Sequence, residues 1–413
     1  MRWRALNPWR DLEGLPRSLW VLALAVFVNR AGTMVLPFLM LHLTRNLGLS
    51  PGRAGLSLAF YGLTALACSP FVGRLGDRWG PLRVAKASLA GSALLLLALP
   101  LARSFEAVVG LLVALAAVAE AVRPATLALV GAFAAPEQRR QAYALNRLAI
   151  NLGMSVGPAL GGVLADLSFG ALFVIDGLTS LVAAAALGLL RPAEAAAGEG
   201  AGAEGAAAAG PAFRDRRLLL LMVALLPVSI VFFQHEGPMP LFVVRELGLP
   251  ASFYGALFTL NTAVIVLGEV RLNAAMARWP APRALALGAL LSTLGFSSMA
   301  LCRGPWSVAA TVLVWTAGEM ILFPTCSAYV AEIAPAERRG EYMGYYGMAF
   351  GLGFSFGPWL GSIAFERWGG RALWALCLPA GLVSVLLFAR LGRGPGAGAG
   401  PAVPAGGPPE PPA

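Results

Sequence analysis

The chain is a succession of long apolar stretches separated by short polar connections. A membrane-crossing helix needs about 20 mostly apolar residues, and the sequence contains twelve such stretches. Because a helix satisfies its own backbone hydrogen bonds in lipid, each stretch is predicted to be a transmembrane helix. The pattern thus predicts an all-α membrane protein with 12 transmembrane helices. The predicted spans are residues 18–41, 54–74, 84–102, 106–130, 143–165, 169–190, 217–242, 252–271, 284–302, 306–330, 342–364 and 371–390.

A glycine-proline segment occurs twice, 200 positions apart, inside two of these stretches. The first copy reads Gly153-Met-Ser-Val-Gly157-Pro158-Ala-Leu-Gly161-Gly162, and the second reads Gly353-Phe-Ser-Phe-Gly357-Pro358-Trp-Leu-Gly361-Ser362. Their glycines form small-residue faces that let helices pack closely, and the prolines kink the helices. A repeat on this scale predicts two pseudo-symmetric halves, an arrangement typical of secondary transporters with a site between the halves. The predicted units are a six-helix bundle over 1–190, a cytoplasmic linker over 191–216, a second six-helix bundle over 217–390 and a disordered tail over 391–413.

Composition and charge placement support the membrane interpretation. The 413 residues are 58% hydrophobic and 13% charged, whereas soluble proteins have about 25% charged residues. The net charge of +10 would suit a nucleic-acid partner, but 22 of the 31 Lys and Arg fall on one side of the predicted membrane, seven on the other and two within helices. By the positive-inside rule, both termini are predicted to be cytoplasmic, in a multi-pass protein of the cell membrane. We therefore expect no nucleic-acid partner.

The sequence offers no chemistry typical of an enzyme. The four cysteines lie in or beside apolar stretches, without a CxxC pair or a histidine cluster, so we interpret them as packed free thiols and expect no metal site. The sequence contains no nucleophile–base set or phosphate-binding loop, and no cofactor is expected. The cysteines are Cys68, Cys302, Cys326 and Cys377.

The connection after the second span carries a recognisable motif. It reads Gly73-Arg74-Leu75-Gly76-Asp77-Arg78-Trp79-Gly80-Pro81-Leu82-Arg83. It resembles the signature loop of the major facilitator superfamily, commonly G-x-L-A-D-R-x-G-R-K, and lies where that family has it, between helices two and three. Pro81 and Leu82 depart from the usual basic pair. The Gly157-Pro158 segment in helix five is similar to the motif of the family's proton antiporters. The resemblance covers nearly the whole chain outside the tail and implies the 12-helix drug/proton antiporter type.

This motif predicts a latch on the cytoplasmic side. Gly73, Gly76 and Gly80 would permit close approach and a tight turn. Asp77 would lie near the start of helix eleven, where the positive end of the helix dipole favours a carboxylate. Arg140 is a plausible ion partner. Such a cluster, which also includes Arg78, would hold the cytoplasmic side shut in the outward-open state; the alternative is an ordinary solvated turn.

Charged groups within the spans are the candidate functional residues. An Arg or Asp in mid-bilayer costs roughly 2.5–3.5 kcal/mol on insertion scales, so it needs a partner or a water-filled cavity. The resemblance implies that helices one, four, seven and ten line the central cavity, and most of these charges fall on them. The proton-coupling candidates are Glu120 and Glu319, followed by Glu236, and the cavity or substrate candidates are Arg30, Arg123 and His235.

Structural alternatives stay open for several of these groups. Glu120 and Arg123 are three residues apart on one helical face, so they could form a permanent ion pair. Glu269 could pair with Arg271, and Asp176 is predicted to be a cap or to form a supporting pair. Aromatic and Met side chains of the cavity helices could line an apolar cavity. The candidates are Phe27, Met34, Phe38, Phe232, Phe233, Trp315 and Phe323.

The sequence as a whole predicts a secondary active transporter that works by alternating access. The favoured function is proton-coupled efflux of a small hydrophobic or amphipathic compound. The expected partners are this small-molecule substrate, protons and membrane lipid, and the protein is expected to be a monomer. One alternative is an importer or facilitator of a polar or anionic metabolite. Another is a transporter-like receptor that binds without translocating, although an intact latch motif argues against it.

Overall fold

The computed structural model describes residues 14–190, 214–335 and 338–391, apart from the side-chain surroundings of Gly73 and Asp77. Within these ranges the chain is helical and contains no strand, which confirms the predicted all-α fold class. Eleven helical segments are long and apolar enough to cross a membrane. The last, Arg339–Leu391, is two helices joined at Gly369, whose positive φ of 81° breaks the helical path. The described chain thus has the twelve predicted spans.

We number the spans in chain order. They are α1 (Arg17–Arg45), α2 (Pro51–Trp79), α3 (Pro81–Leu101), α4 (Phe105–Phe133), α5 (Arg139–Leu167), α6 (Phe169–Gly188), α7 (Arg216–Glu246), α8 (Ala251–Met276), α9 (Ala281–Leu301), α10 (Pro305–Ile333), α11 (339–368) and α12 (370–391). We call the end of the bundle where α1 begins and α12 ends the inner end, and the opposite end the outer end. The predicted domain boundaries stay predictions, since linker residues 191–213 and tail residues 392–413 lie outside the described residues.

The glycine-proline segments set the spacing of helices within each half. A Cβ atom at Gly157 of α5 would lie 2.9 Å from the carbonyl oxygen of Arg30 on α1. A Cβ atom at Gly357 of α11 would lie 2.9 Å from the carbonyl oxygen of Ile230 on α7. Only glycine allows helix backbones to approach this closely. The predicted packing role of the two segments is therefore present in the structure, at equivalent places in the two halves.

The same two helices also join the halves to each other. A Cβ atom at Gly55 of α2 would lie 3.0 Å from the carbonyl oxygen of Pro358, and one at Gly255 of α8 would clash with the carbonyl oxygen of Pro158. The halves therefore meet along two helix pairs, α2 with α11 and α5 with α8. Since Gly55 and Gly255 are 200 positions apart, as are Pro158 and Pro358, the two pairs are related by the internal repeat.

Helix α1 is interrupted in mid-span, and Asp176 supports the interruption. The helix stops at Gly32 and restarts at Val35. A restarting helix exposes N–H groups that have no partner within it. Asp176 of α6 is buried and accepts hydrogen bonds from the N–H groups of Met34 and Val35, both at 3.1 Å. It therefore caps the second segment of α1, which agrees with the interpretation of Asp176 as a cap.

Removal of this cap is expected to destabilise the first half. Asp176→Ala would leave two buried N–H groups unpaired and lower the free energy of unfolding by about 2 kcal/mol. Asp176→Asn keeps one acceptor oxygen and should lose about half as much. Thermal unfolding of the purified variants in detergent would measure both effects. An Ala variant as stable as the parent would contradict the capping role.

Candidate functional site

The two halves are in close contact at the outer end, whereas at the inner end there is open space beside α11. Towards the outer end, Gly162 packs against Ala251 and Ser252, and Gly55 packs against Ser362. Towards the inner end of α11, by contrast, a Cβ atom at Gly340, Gly344 or Gly347 would have no neighbour within 4 Å. The two-bundle protein is therefore open at the inner end and closed at the outer end, a form that we call inward-facing.

A cavity of about 460 Å³ lies between the halves, towards the inner end. Its walls come from α5 of the first half and from α8 and α10 of the second. The family resemblance implied a cavity lined by helices one, four, seven and ten, so the contributions of α5 and α8 were not expected. The lining residues are Arg147, Asn151, Ile265, Glu269, Glu319, Met320, Phe323, Pro324 and Ser327.

Glu319 is a partly buried carboxyl group in the wall of this cavity. Its Oε2 accepts a hydrogen bond of 2.8 Å from the Nδ2 of Asn261 on α8, which also donates to the hydroxyl of Thr316 at 2.9 Å. Among the described residues, no ion pair joins Glu319 to a basic side chain. The carboxyl group is thus oriented by a neutral amide. Sequence reasoning missed Asn261, because a single Asn on a neighbouring helix has no distinguishing pattern.

Aromatic side chains of the second half cluster beside this carboxyl group. The ring of Phe232 lies 5.0 Å from Phe323 and 5.8 Å from Trp315, both edge to face. His235 stacks on Trp315 at 6.1 Å, and its Nε2 lies 3.5 Å from the Oε1 of Glu236. Phe323 lines the cavity, as predicted. Five of the other cavity candidates are buried in the hydrophobic core instead: Met34, Phe38, Phe232, Phe233 and Trp315.

A second cavity, of about 200 Å³, lies within the first half. Arg30 of α1 and Arg123 of α4 line it, together with Asn146 of α5. Asn146 is buried, and its Oδ1 atom has no hydrogen-bond partner. Glu120 lies near enough for its charge to interact with both guanidinium groups.

The predicted ion pair between Glu120 and Arg123 is not formed in the structure. No ion pair shorter than 4.0 Å involves either residue in the described part of the chain. The backbone of Glu120 and Ala121 stays in the right-handed helical region, so the spacing of three still places the two side chains on one face, and nothing in the backbone explains why they do not pair. Arg30 and Arg123 therefore face the cavity without a salt bridge.

The predicted pair of Glu269 with Arg271 is wrong. Glu269 of α8 instead accepts from Arg147 of α5, at 2.9 Å, across the two halves. Residues two apart on a helix do not face each other, which explains why Arg271 is not the partner. The side chain of Arg147 is 68% exposed and that of Glu269 is 17% exposed, so the pair lies at the solvent-facing mouth of the cavity.

The predicted latch segment is mostly helical rather than a loop. Helix α2 continues through Trp79, and only Gly80, with a φ of 82°, forms the turn into α3. A Cβ atom at Gly76 or Gly80 would have no neighbour within 4 Å, so the expected close approach is absent at these glycines. Arg78 and Arg140 are exposed. The surroundings of Gly73 and of the Asp77 side chain lie outside the described residues, and the latch stays a prediction.

Two pseudo-symmetric six-helix halves around a cavity open at one end are an arrangement typical of secondary membrane transporters. The chain matches the family model of the Major Facilitator Superfamily over residues 22–317 and 237–412. It therefore belongs to this superfamily and is a multi-pass membrane transporter rather than an enzyme.

Relatives and solved structures agree with this assignment. The chain is 23% identical over 380 residues to a Na(+), Li(+), K(+)/H(+) antiporter of Planococcus maritimus, covering 83% of this chain and 88% of the relative. It is 26% identical over 360 residues to a class C tetracycline resistance protein of Escherichia coli, covering 79% and 86%. The crystal structure of a mutant of the peptide transporter POT superposes with a TM-score of 0.78 at 16% identity, covering 93% and 96%. The last likeness concerns the fold alone.

Charge reversal would test the ion pair between α5 and α8. Glu269→Arg places two guanidinium groups together, and adding Arg147→Glu restores opposite charges. Because Arg147 is largely exposed, the single change should cost about 1 kcal/mol or less, and high salt should reduce the cost. Thermal unfolding at low and high salt measures both effects. If the double variant were no more stable than Glu269→Arg, the pair would not contribute in solution.

Proposed function

We propose that this chain is a proton-coupled exporter of small hydrophobic or amphipathic compounds, with amphipathic cations as the first candidates. The observation that supports this most directly is Glu319, a cavity carboxyl group held by Asn261 without a basic partner among the described residues. Related proteins include the antiporter and the tetracycline resistance protein named above. The proposed setting is the cell membrane, with cytoplasmic termini and a monomeric protein.

Competition for one carboxyl group would couple export to proton entry. An ionised carboxylate in a low-dielectric cavity is unfavourable unless it binds a cation or a proton. A cationic compound entering from the inner end would neutralise Glu319, and a proton from the outer side would later displace it. Either the cation or the proton is enough to neutralise Glu319. The protein would therefore change conformation with the cation bound in one direction and with the proton bound in the other, so that the two are exchanged across the membrane.

The aromatic cluster would provide the apolar part of the binding site. Phe323 shares the cavity wall with Glu319 and lies 5.1 Å from Phe350 and 5.0 Å from Phe232. Aromatic faces attract cations by about 0.5–2 kcal/mol and also bury apolar surface. Glu120 and Glu236 remain further proton-site candidates, since each lies near a group that could modulate its charge, Arg30 and His235 respectively.

A second candidate function is transport of a polar or anionic metabolite. The supporting observation is the cavity of the first half, where Arg30 and Arg123 lack salt-bridge partners among the described residues. Guanidinium groups are well suited to bind carboxylate or phosphate groups. In this case anionic compounds, rather than cations, would move through the protein.

Glu319→Gln is expected to uncouple transport from the pH gradient. The protein would be reconstituted in liposomes with an imposed pH gradient and fluorescent amphipathic cations, and dye flux and internal pH would be recorded. The variant keeps the shape of the side chain but cannot exchange a proton, so gradient-driven dye accumulation should fall at least about tenfold. Glu332→Gln, an exposed change on the same helix, is the matched control. Full pH-driven accumulation by Glu319→Gln would exclude this proton site.

Asp77→Asn is expected to slow transport by weakening the latch. Loss of the carboxylate removes its attraction to the positive end of α11 in the outward-facing state, so that state becomes less populated. The initial transport rate should fall several-fold while the thermal stability of the inward-facing protein stays unchanged. Glu137→Gln, an exposed change also at the inner end, is the control. Undiminished transport by Asp77→Asn would exclude the latch.

A further inference from the structure

Two carboxylates at the outer end each reach across from one half to the other. Asp166, at the end of α5, accepts hydrogen bonds from the N–H groups of Ala251 and Ser252 at the start of α8, at 2.8 and 2.9 Å. Glu366, near the end of α11, accepts from the N–H group of Gly52 at the start of α2, at 2.7 Å. Asp166 and Glu366 are 200 positions apart, so the internal repeat relates them.

The residues that precede α8 and α2 do not supply a hydrogen-bond acceptor for every N–H group at the starts of these helices. The residue before α8 is Pro250, which has no side-chain oxygen, and no side chain of α8's own half caps it. At the start of α2, Ser50 accepts only from Arg53, which leaves the N–H group of Gly52 for Glu366. The first N–H groups of a helix carry partial positive charge, so an ionised carboxylate is the favoured partner.

Backbone packing beside each carboxylate fixes this geometry. A Cβ atom at Gly162, one turn before Asp166, would lie 2.7 Å from the carbonyl oxygen of Ala251. A Cβ atom at Gly52 would lie 2.8 Å from the Oε2 atom of Glu366. The carboxylates can therefore reach the helix starts only when the two halves are in close contact at the outer end.

We propose that Asp166 and Glu366 are a symmetric pair of outer closing residues, which stabilise the inward-facing state by capping the starts of α8 and α2 from the opposite half. When the halves separate at the outer end, both caps are lost and the N–H groups form hydrogen bonds with water instead. The pair thus sets the ratio of inward-facing to outward-facing molecules. This inference depends on alternating access alone and goes beyond the proposed substrate and coupling ion.

The chain contains a matched control for this role. Glu246, at the end of α7, is also an exposed carboxylate at the outer end and accepts from the N–H group of Gly370 at 2.8 Å. It caps α12, which belongs to its own half. Its bond therefore survives in both states, and its removal should leave their ratio unchanged.

Opening of the outer end can be measured without a substrate. Ser362 is fully buried where α11 meets α2, so a Ser362→Cys reporter reacts with a membrane-impermeant maleimide only in molecules whose outer end is open. Cys302, Cys326 and Cys377 are buried, so only Cys68 needs replacement, by Ala. In lipid nanodiscs, the labelling rate is then proportional to the open fraction, even when that fraction is small.

Asp166→Ala and Glu366→Ala should each raise the labelling rate about fivefold, and together roughly twentyfold, given typical strengths of a carboxylate at a helix start. Glu246→Ala should leave it unchanged. Asp166→Ala is the more informative variant, because Asp166 lies on α5 whereas the reporter lies on α11, so the substitution is not next to the reporter. Local fraying of α8 would not expose Ser362, whereas separation of the halves would.

Asp166→Asn and Glu366→Gln keep the side-chain shape and should give smaller increases in the same direction, which separates the role of charge from misfolding. The proposal is overturned if Asp166→Ala and Glu366→Ala leave the rate unchanged. It is equally overturned if Glu246→Ala raises the rate as much as they do, since the effect would then come from surface charge in general. Neither result would depend on whether protons or amphipathic cations are transported.

Discussion

Helices α5 and α11 each pack on two faces so closely that their backbone contacts the backbone of the neighbouring helices. The rest of the fold is arranged around this constraint. One face packs on the first helix of the same half, at Gly157 for α5 on α1 and at Gly357 for α11 on α7. The other meets the opposite half, where the carbonyl oxygens of Pro158 and Pro358 approach Gly255 and Gly55. In lipid, association depends on such close packing rather than on a hydrophobic driving force, so the first set of contacts holds each half together and the second holds the two halves to each other.

The charged groups that line the two cavities are basic in the first half and acidic in the second. The first half presents Arg30, Arg123 and Arg147 to its cavities, and the second presents Glu269 and Glu319. Only Arg147 and Glu269 are joined by an ion pair among these described groups. The others remain available to a ligand or a proton, and an uncompensated charge at membrane depth is costly enough that it indicates function.

The helices could be predicted from the sequence because length and hydrophobicity decide them locally. The partners of the charged groups could not, because they depend on which helices become neighbours. Arg271 is close to Glu269 in sequence, yet Arg147, more than a hundred residues away, is its partner. Asn261, which orients Glu319, likewise comes from another helix. Asp176 could be interpreted as a cap, since a lone buried carboxylate needs donors, but the break in α1 that supplies those donors has no clear sequence signal.

The inner end differs between the two helix pairs that join the halves. α5 and α8 are connected at both ends, by Asp166 at the outer end and by the Arg147–Glu269 pair at the inner end. α2 and α11 are connected at the outer end by Glu366, whereas the glycines near the inner end of α11 have open space beside them. The inner opening is therefore wider on the α2–α11 side, which is also the side that carries the Gly73–Arg83 segment. In an alternating-access cycle, closing this gap would separate the outer ends, and the interactions at the two ends would then compete for the same motion.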